Sequence, residues 1–262
     1  MLLAISNIAW KPENSASIYR LLQELNICDL EVAPSLLMNS KKPYDQIRDA
    51  RHISNKLKEQ YGLKIVSMQS IWYGVKDSIF SDIETQKRLT DYTEQAIDFA
   101  DAINCKNLVF GCPKNRMLES SSRHDDAFMF FNAIGRLASA KGCVIALEPN
   151  PTIYGTNFLN TTAETVKFLS ELDNPGIKLN LDMGAIIYNG EDLGTIKGNI
   201  DWVNHIHISE PNLVPIKRRL ELHSEIMSMF SDDQIFSIEM KQVDQSIIRE
   251  TIKYLQAIVP DG

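Results

Sequence analysis

A closed barrel of eight parallel strands, each followed by helix, is the fold the sequence predicts, and three observations predict it. First, short apolar, β-branched runs alternate with longer segments of helical periodicity along the whole chain. Second, eight such strand runs fit within 262 residues, close to the roughly 250 typical of a (β/α)8 barrel. Third, the turn after the first strand reads NIAWKPEN and contains no glycine, whereas an open doubly wound sheet places a Gly-rich phosphate turn there. No Pro/Gly/Ser-rich linker or composition shift interrupts the pattern, so residues 1–262 are expected to form a single α/β barrel domain.

The expected strands are LLAISN (2–7), CDLEVA (28–33), KIVSMQS (64–70), NLVFGC (107–112), CVIALE (143–148), IKLNLD (177–182), VNHIHIS (203–209) and IFSIEM (235–240). Between them, Ile18, Leu21, Leu22 and Leu25 mark one helical face, and residues 43–61 and 85–103 carry similar stripes. FMFFNAIGRLASAKG stops at Gly142, a natural C-terminal signal. TTAETVKFLSEL opens with Thr161 and Glu164 in capping-box spacing. QSIIRETIKYLQAI closes the chain, and segments 191–199 and 213–230 are weaker helix candidates.

Composition narrows the function. A net charge of −7 argues against a globally basic nucleic-acid binder. No apolar run approaches the roughly 18 residues of a membrane span, and MLLAISNIAWKPENS reads as a first strand rather than a signal peptide. Cys28, Cys105, Cys112 and Cys143 form no CxxC pair and read as reduced thiols of a cytoplasmic protein. Cys112 is read as a small buried side chain rather than a nucleophile.

Barrels keep their chemistry at the C-terminal ends of their strands. Here CVIALE ends in Glu148, IKLNLD in Asp182, VNHIHIS near His207 and IFSIEM near Glu239. Three carboxylates and an imidazole converging on one mouth repel one another or stay desolvated unless a cation neutralises them. One divalent metal ion does so, and this donor set suits Mn2+, Mg2+, Co2+ or Zn2+. Period-two geometry puts His205 and His207 on the barrel-facing side of their strand, with Ile206 and Ile208 toward the helices. His207 lies level with the carboxylates. His205 lies one layer deeper, where an orienting hydrogen bond is the expected role.

Other mouth residues carry two readings. Lys114 and Arg116 either hold a phosphate or carboxylate of the substrate, or pair with barrel-mouth acids or face solvent. Glu31 and Gln69 either touch substrate or hydrogen-bond inside the barrel. Glu210 and Asn212 begin a loop over the mouth and are candidates to reach substrate. Lys217, Arg218 and Arg219 read as a solvated face. Trp10 and Trp72 either wall a sugar ring or pack beneath loops.

The motifs LEPN (147–150), LDMG (181–184), HIH (205–207), IEM (238–240) and FGCPKNR (110–116) resemble the sugar phosphate isomerase/epimerase family of the xylose isomerase-like TIM barrel superfamily, over essentially the whole chain. The resemblance implies that Glu148, Asp182, His207 and Glu239 bind one metal and that Glu148 and Glu239 form the acid–base pair. It implies an isomerase or epimerase of a carbohydrate. The implied chemistry is proton transfer through an enediolate: a proton would leave the carbon beside a carbonyl, the ion would supply Lewis acidity for the charge that develops, and a carboxylate would return a proton. A lyase, such as a dehydratase or a keto-sugar deglycosidase, and a non-catalytic sugar-binding barrel are the alternatives. The chain departs from ketose 3-epimerases at Ala185, where they carry a histidine, and near Tyr154, where they carry a glutamate. Both departures point away from free ketohexoses. Ala185, and strand ends SMQS and VFGC, also lack the histidines of the superfamily's trinuclear zinc endonucleases. The expected partner is thus a small carbohydrate, not nucleic acid or membrane, with a homo-oligomer left open.

Overall fold

In the computed structural model, which describes residues 2–118 and 124–258, the eight strands close into one parallel barrel in sequence order. They are β1 (Leu2–Ser6), β2 (Asp29–Val32), β3 (Lys64–Met68), β4 (Asn107–Phe110), β5 (Val144–Leu147), β6 (Ile177–Asp182), β7 (Val203–Ile208) and β8 (Ile235–Ile238). Closure is direct, because β1 pairs with both β2 and β8. All eight expected strands are present. Most end one or two residues early, where the chain turns from ladder to loop.

The helices form where the stripes and caps put them. Thr161 and Glu164 close a capping box at the start of the helix Thr162–Leu172. Asp82 accepts from the Thr85 N–H at the head of the helix Ile83–Ala102. The stripe over 43–61 divides into a 3-10 turn, Pro43–Gln46, and the helix Ile47–Tyr61, which ends at Gly62 in the left-handed region. The expected helix over 213–230 is shorter, Leu220–Ser228. Asn212 and Leu213 sit at positive φ, outside the right-handed helical region, so no α-helix runs through them. Segment 191–199 keeps one short helix, Leu193–Lys197. No helix among the described residues is long and apolar enough to cross a membrane.

The outer core lies between barrel and helices. Trp72, Phe110, Phe130 and Phe131 pack edge-to-face between β4 and the helix His124–Ala140. Trp72 also donates its indole N–H to Thr93, and Trp10 donates to Ser15. Both indoles are buried against helices and neighbouring rings, and neither lines the cavity at the barrel mouth. Ile206 and Ile208 are fully buried on the helix side of β7, as the alternation requires.

One irregularity positions the polar interior. Between β6 and β7 the register passes from Leu179↔Val203 to Asn180↔His205, which leaves Asn204 as an extra residue. Asn204 donates across the barrel to Asn107 of β4 (2.7 Å). Asn204 and His205 thus both face inward, which strict alternation does not anticipate. Beyond the bulge, His205 stands beside Asn180 and His207 beside Asp182.

A candidate metal centre at the mouth of the barrel

Asp182 is the last residue of β6 and His207 the fifth of β7. Glu148 and Glu239 each follow their strand by one residue, and their N–H groups still donate to Phe110 and Ile208 of the neighbouring strands (3.1 and 2.9 Å). The ladder therefore fixes the backbone of both glutamates. Ligand atoms of Glu148, Asp182, His207 and Glu239 all lie within 4.8 Å of one another, and all four residues are buried. His207 Nδ1 is the hub: it lies 2.9 Å from Glu148 Oε1, 3.2 Å from Glu239 Oε2 and 3.9 Å from Asp182 Oδ2.

Each carboxylate has its own supports. Glu148 Oε1 accepts from Asn180 (2.7 Å) and Oε2 from Asn150 (2.8 Å). Asp182 Oδ1 caps the helix Met183–Asn189 by accepting from the Ala185 N–H (2.6 Å), and it also accepts from Ser209 (3.0 Å). Two glycines leave the space these carboxylates occupy. A Cβ on Gly184 would lie 2.9 Å from Asp182 Oδ1, and one on Gly111 would lie 2.7 Å from Glu148 Oε2. Because three polar partners pin Glu148, its carboxylate cannot yield without losing one of them. Gly111→Ala is therefore expected to weaken Mn2+ binding about 10-fold or more, as loss of a ligand's supports does. Titration calorimetry of the variant against wild type checks this.

The electrostatics follow from crowding. Burial, then the Glu148 and Glu239 charges, push the Asp182 carboxyl well above its ordinary range. Burial and the Glu148 charge likewise raise Glu239. Burial would raise Glu148 too, but His207, Asn150 and Arg116 outweigh it and hold Glu148 low. Burial would lower His207, but Glu31, Glu239 and Glu148 hold it well above the usual imidazole range. Mutually repelling buried carboxylates with one imidazole are a donor set that fits a hard or borderline divalent cation.

These groups open onto a cavity of about 200 Å3. Its far wall comes from the loops after β1, β3 and β4, including Ile8, Gln69, Ser70, Gly111, Cys112 and Pro113; Tyr154 and Leu213 lie over it. The Tyr154 hydroxyl accepts from the Asn212 N–H (2.9 Å), so the loops after β5 and β7 are tied together above the site. Larger cavities of about 310 and 700 Å3 lie elsewhere and include none of the four converging residues.

Gln69 lines the cavity and donates to Ser6 (2.8 Å) and Glu31 (3.2 Å). Lys114 is exposed. Arg116 is fully buried; its Nη2 donates to the Glu148 carbonyl oxygen (2.6 Å) and to Asn150 Oδ1 (2.5 Å). Glu210 is also fully buried and receives a bidentate pair of bonds from Arg219 (2.7 and 2.8 Å). None of Lys114, Arg116 and Glu210 lines the cavity, although Pro113, next to Lys114, does. Arg218 lies over the Tyr254 ring, and Lys217 is exposed. Cys112 does line the cavity, but burial pushes its thiol up to about 12, so it stays protonated. Asn150 and Asn180, which hold Glu148, were not singled out in the sequence; Asn150 lies in the LEPN motif and Asn180 two residues before Asp182, and those positions were the available signals.

Known proteins share this architecture. No curated protein matches the chain by sequence. Among solved structures, a 3-keto-D-glucoside 4-epimerase from E. coli superposes with a TM-score of 0.75 at 16% identity, over 98% of this chain and 99% of that one. A D-psicose 3-epimerase from Clostridium cellulolyticum H10, solved with D-tagatose, gives 0.74 at 15%, over 98% and 96%. A probable 3-DHS dehydratase involved in petrobactin synthesis, from Bacillus anthracis, gives 0.74 at 19%, over 98% and 99%. At these identities the likeness speaks to the fold. The family model for the xylose isomerase-like TIM barrel matches residues 26–257. With that match across nearly the whole of a closed eight-stranded barrel, the chain belongs to the xylose isomerase-like TIM barrel family.

Proposed function

We propose that the chain is a divalent-metal-dependent isomerase or epimerase of a sugar or sugar derivative, acting by proton transfer at the carbon beside a carbonyl. The observation that carries this reading is the pair of buried glutamates, Glu148 and Glu239, that reach the same imidazole nitrogen from different strands beside a cavity. Glu148, Asp182, His207 and Glu239 would hold Mn2+, Mg2+, Co2+ or Zn2+. The ion, when bound, supplies the Lewis acidity that lowers the cost of charge developing on a carbonyl oxygen.

The protein's own groups do the rest. Glu148, held low by His207, then Asn150 and Arg116, and hydrogen-bonded by Asn180, is suited to take a proton. Glu239, raised by burial beside another carboxylate, is suited to return one. Two carboxylates acting on one substrate permit inversion or transfer to the neighbouring carbon. Gln69, in the cavity lining, and Lys114, exposed just beyond the lining residue Pro113, are the proposed substrate contacts. Arg116 and Glu210 serve the site at one remove, the first by fixing the strand end that carries Glu148 and the second by fixing the loop after β7 through Arg219. The four free thiols support a reducing, cytoplasmic setting.

The fold neighbours include a dehydratase, so elimination is the second reading. Both readings are tested by incubating the Mn2+-loaded protein in D2O with a panel of ketoses, keto-glycosides and ketose phosphates. Deuterium incorporation into an isomer of unchanged formula supports the proposal. Loss of water or aglycone supports a lyase, and absence of any turnover with tight sugar binding supports a non-catalytic barrel.

A further inference from the structure

Below the four converging residues, Glu31 of β2 is fully buried and crosses the barrel to both histidines of β7. Its Oε2 accepts from His205 Nε2 (3.0 Å), His207 Nε2 (3.0 Å) and Ser67 Oγ (2.7 Å). Its Oε1 accepts from Gln69 Nε2 (3.2 Å) and Ser237 Oγ (3.2 Å). Five donors, from β3 and the residue after it, β7 and β8, thus meet one carboxylate. Ser67 in turn accepts from Asn107, which accepts from Asn204, so the group is braced down to the lower part of the barrel.

The geometry decides which nitrogen of His207 faces the mouth. An imidazole has two ring nitrogens, and the hydrogen bond made by one determines what the other can do. With Nε2 donating to Glu31, Nδ1 is the nitrogen that meets Glu148, Asp182 and Glu239. Glu31, His205 and His207 are themselves close enough to hold an ion. Their arrangement speaks against it: Oε2 has three donors and Oε1 two, each of the three residues is at most 1% exposed, and an ion would have to displace several of these bonds at once.

We propose that Glu31 is the positioning residue of this centre: it holds the His207 ring with Nε2 as donor, so that Nδ1 is presented to the metal, and it uses His205 as a second donor to fix its own carboxylate. The proposal rests on the metal-centre reading above for its consequence, though not for the ring orientation itself. Carboxylates that accept from the remote nitrogen of a ligating histidine typically change metal affinity 10–100-fold when removed.

The test uses the full chain with 15N-labelled histidine and Zn2+ as a diamagnetic probe. In wild type, long-range ring correlations are expected to show a slowly exchanging Nε2–H on His207 with and without Zn2+. Only Nδ1 should shift on adding the metal, with one Zn2+ bound per chain. Glu31→Gln is expected to keep a folded melting profile, lose the slow exchange of that proton and bind Zn2+ 10–100-fold more weakly. A residue that merely fills the core would lower the melting temperature and leave the ring signature and the affinity of the folded protein unchanged. Wild-type Zn2+ affinity in Glu31→Gln, a His207 ring bound through Nε2, or two Zn2+ per chain would each overturn the proposal. Should wild type bind no Zn2+, the metal reading fails, while the Nε2–H signature in the metal-free protein still decides the ring orientation. If Glu31→Gln does not fold, the wild-type spectra alone decide it: a bare Nε2 on His207 overturns the idea.

Discussion

Glu239→Gln is expected to lower turnover about 10²- to 10⁴-fold, the range ordinarily lost with a positioned acid or base. Glutamine keeps the shape and one acceptor oxygen, so the side chain can still fill its place next to His207. It cannot release or take up a proton. The change should therefore appear mainly in kcat, with KM within a few-fold, once enough Mn2+ is supplied to offset weaker binding. Steady-state kinetics on whichever sugar shows deuterium exchange checks this, together with calorimetry to establish metal occupancy. Full turnover by a metal-loaded Glu239→Gln protein would remove Glu239 from the acid–base pair. Glu148→Gln should lose exchange as well, and the double variant should lose little more than the worse single one, because the two groups act on one reaction.

The second large effect is on stability. Three buried carboxylates repel one another in the absence of a cation, as the raised Asp182 and Glu239 show. Mn2+ at a hundred times its Kd is expected to stabilise the fold by about 2.7 kcal/mol. For a chain of this size that is a rise of about 5–10 °C in melting temperature. Chelation should reverse it. Asp182→Asn should abolish the Mn2+ response, and its metal-free form should melt no lower than wild type, since the variant removes one repelling charge and keeps the cap on Ala185. The response should also depend on pH. Without metal, the Glu31, Glu239 and Glu148 carboxylates hold His207 well above its ordinary value and favour its protonated form. Binding through Nδ1 needs that proton gone, so metal uptake releases at least about one proton, and affinity rises with pH up to the folded-state value of His207. Calorimetry in two buffers of different ionisation enthalpy measures the release directly.

Most of the barrel was readable because its signals are local. Alternation and caps fix where strands and helices lie, and Thr161 with Glu164 shows a cap behaving as its spacing predicts. The four converging residues were readable for a related reason: on parallel strands, a polar group ending an apolar run can only face the mouth. Facts that depend on distant partners were not readable. Glu31 meets His205 from 174 residues away, and nothing near either residue announces the other. Arg116 and Glu210 lie beside the mouth in sequence, yet whether a charged side chain turns into the cavity or beneath it depends on which acceptor waits there. Arg116 finds the Glu148 carbonyl, and Glu210 finds Arg219. The bulge at Asn204 is invisible to a period-two reading, because an extra residue breaks the period that the reading assumes.

The origin of the cavity's two sides has a consequence for how such a protein changes over generations. Glu148, Asp182, His207 and Glu239 all come from the half of the chain that runs from β5 onward, whereas most of the opposing wall comes from the loops after β1, β3 and β4. The four converging residues and most of the wall facing them are thus encoded in separate lengths of the gene. Drift at Ile8, Ser70 or Pro113 can reshape what fits while leaving the ligand set untouched. Gly111 and Glu31 are the positions where the first half is not free to drift, since one leaves room for Glu148 and the other bonds His207. On the proposed reading, substitutions in the front-half wall that spare Gly111 and Glu31 change what the cavity admits without touching the four residues that converge from the back half.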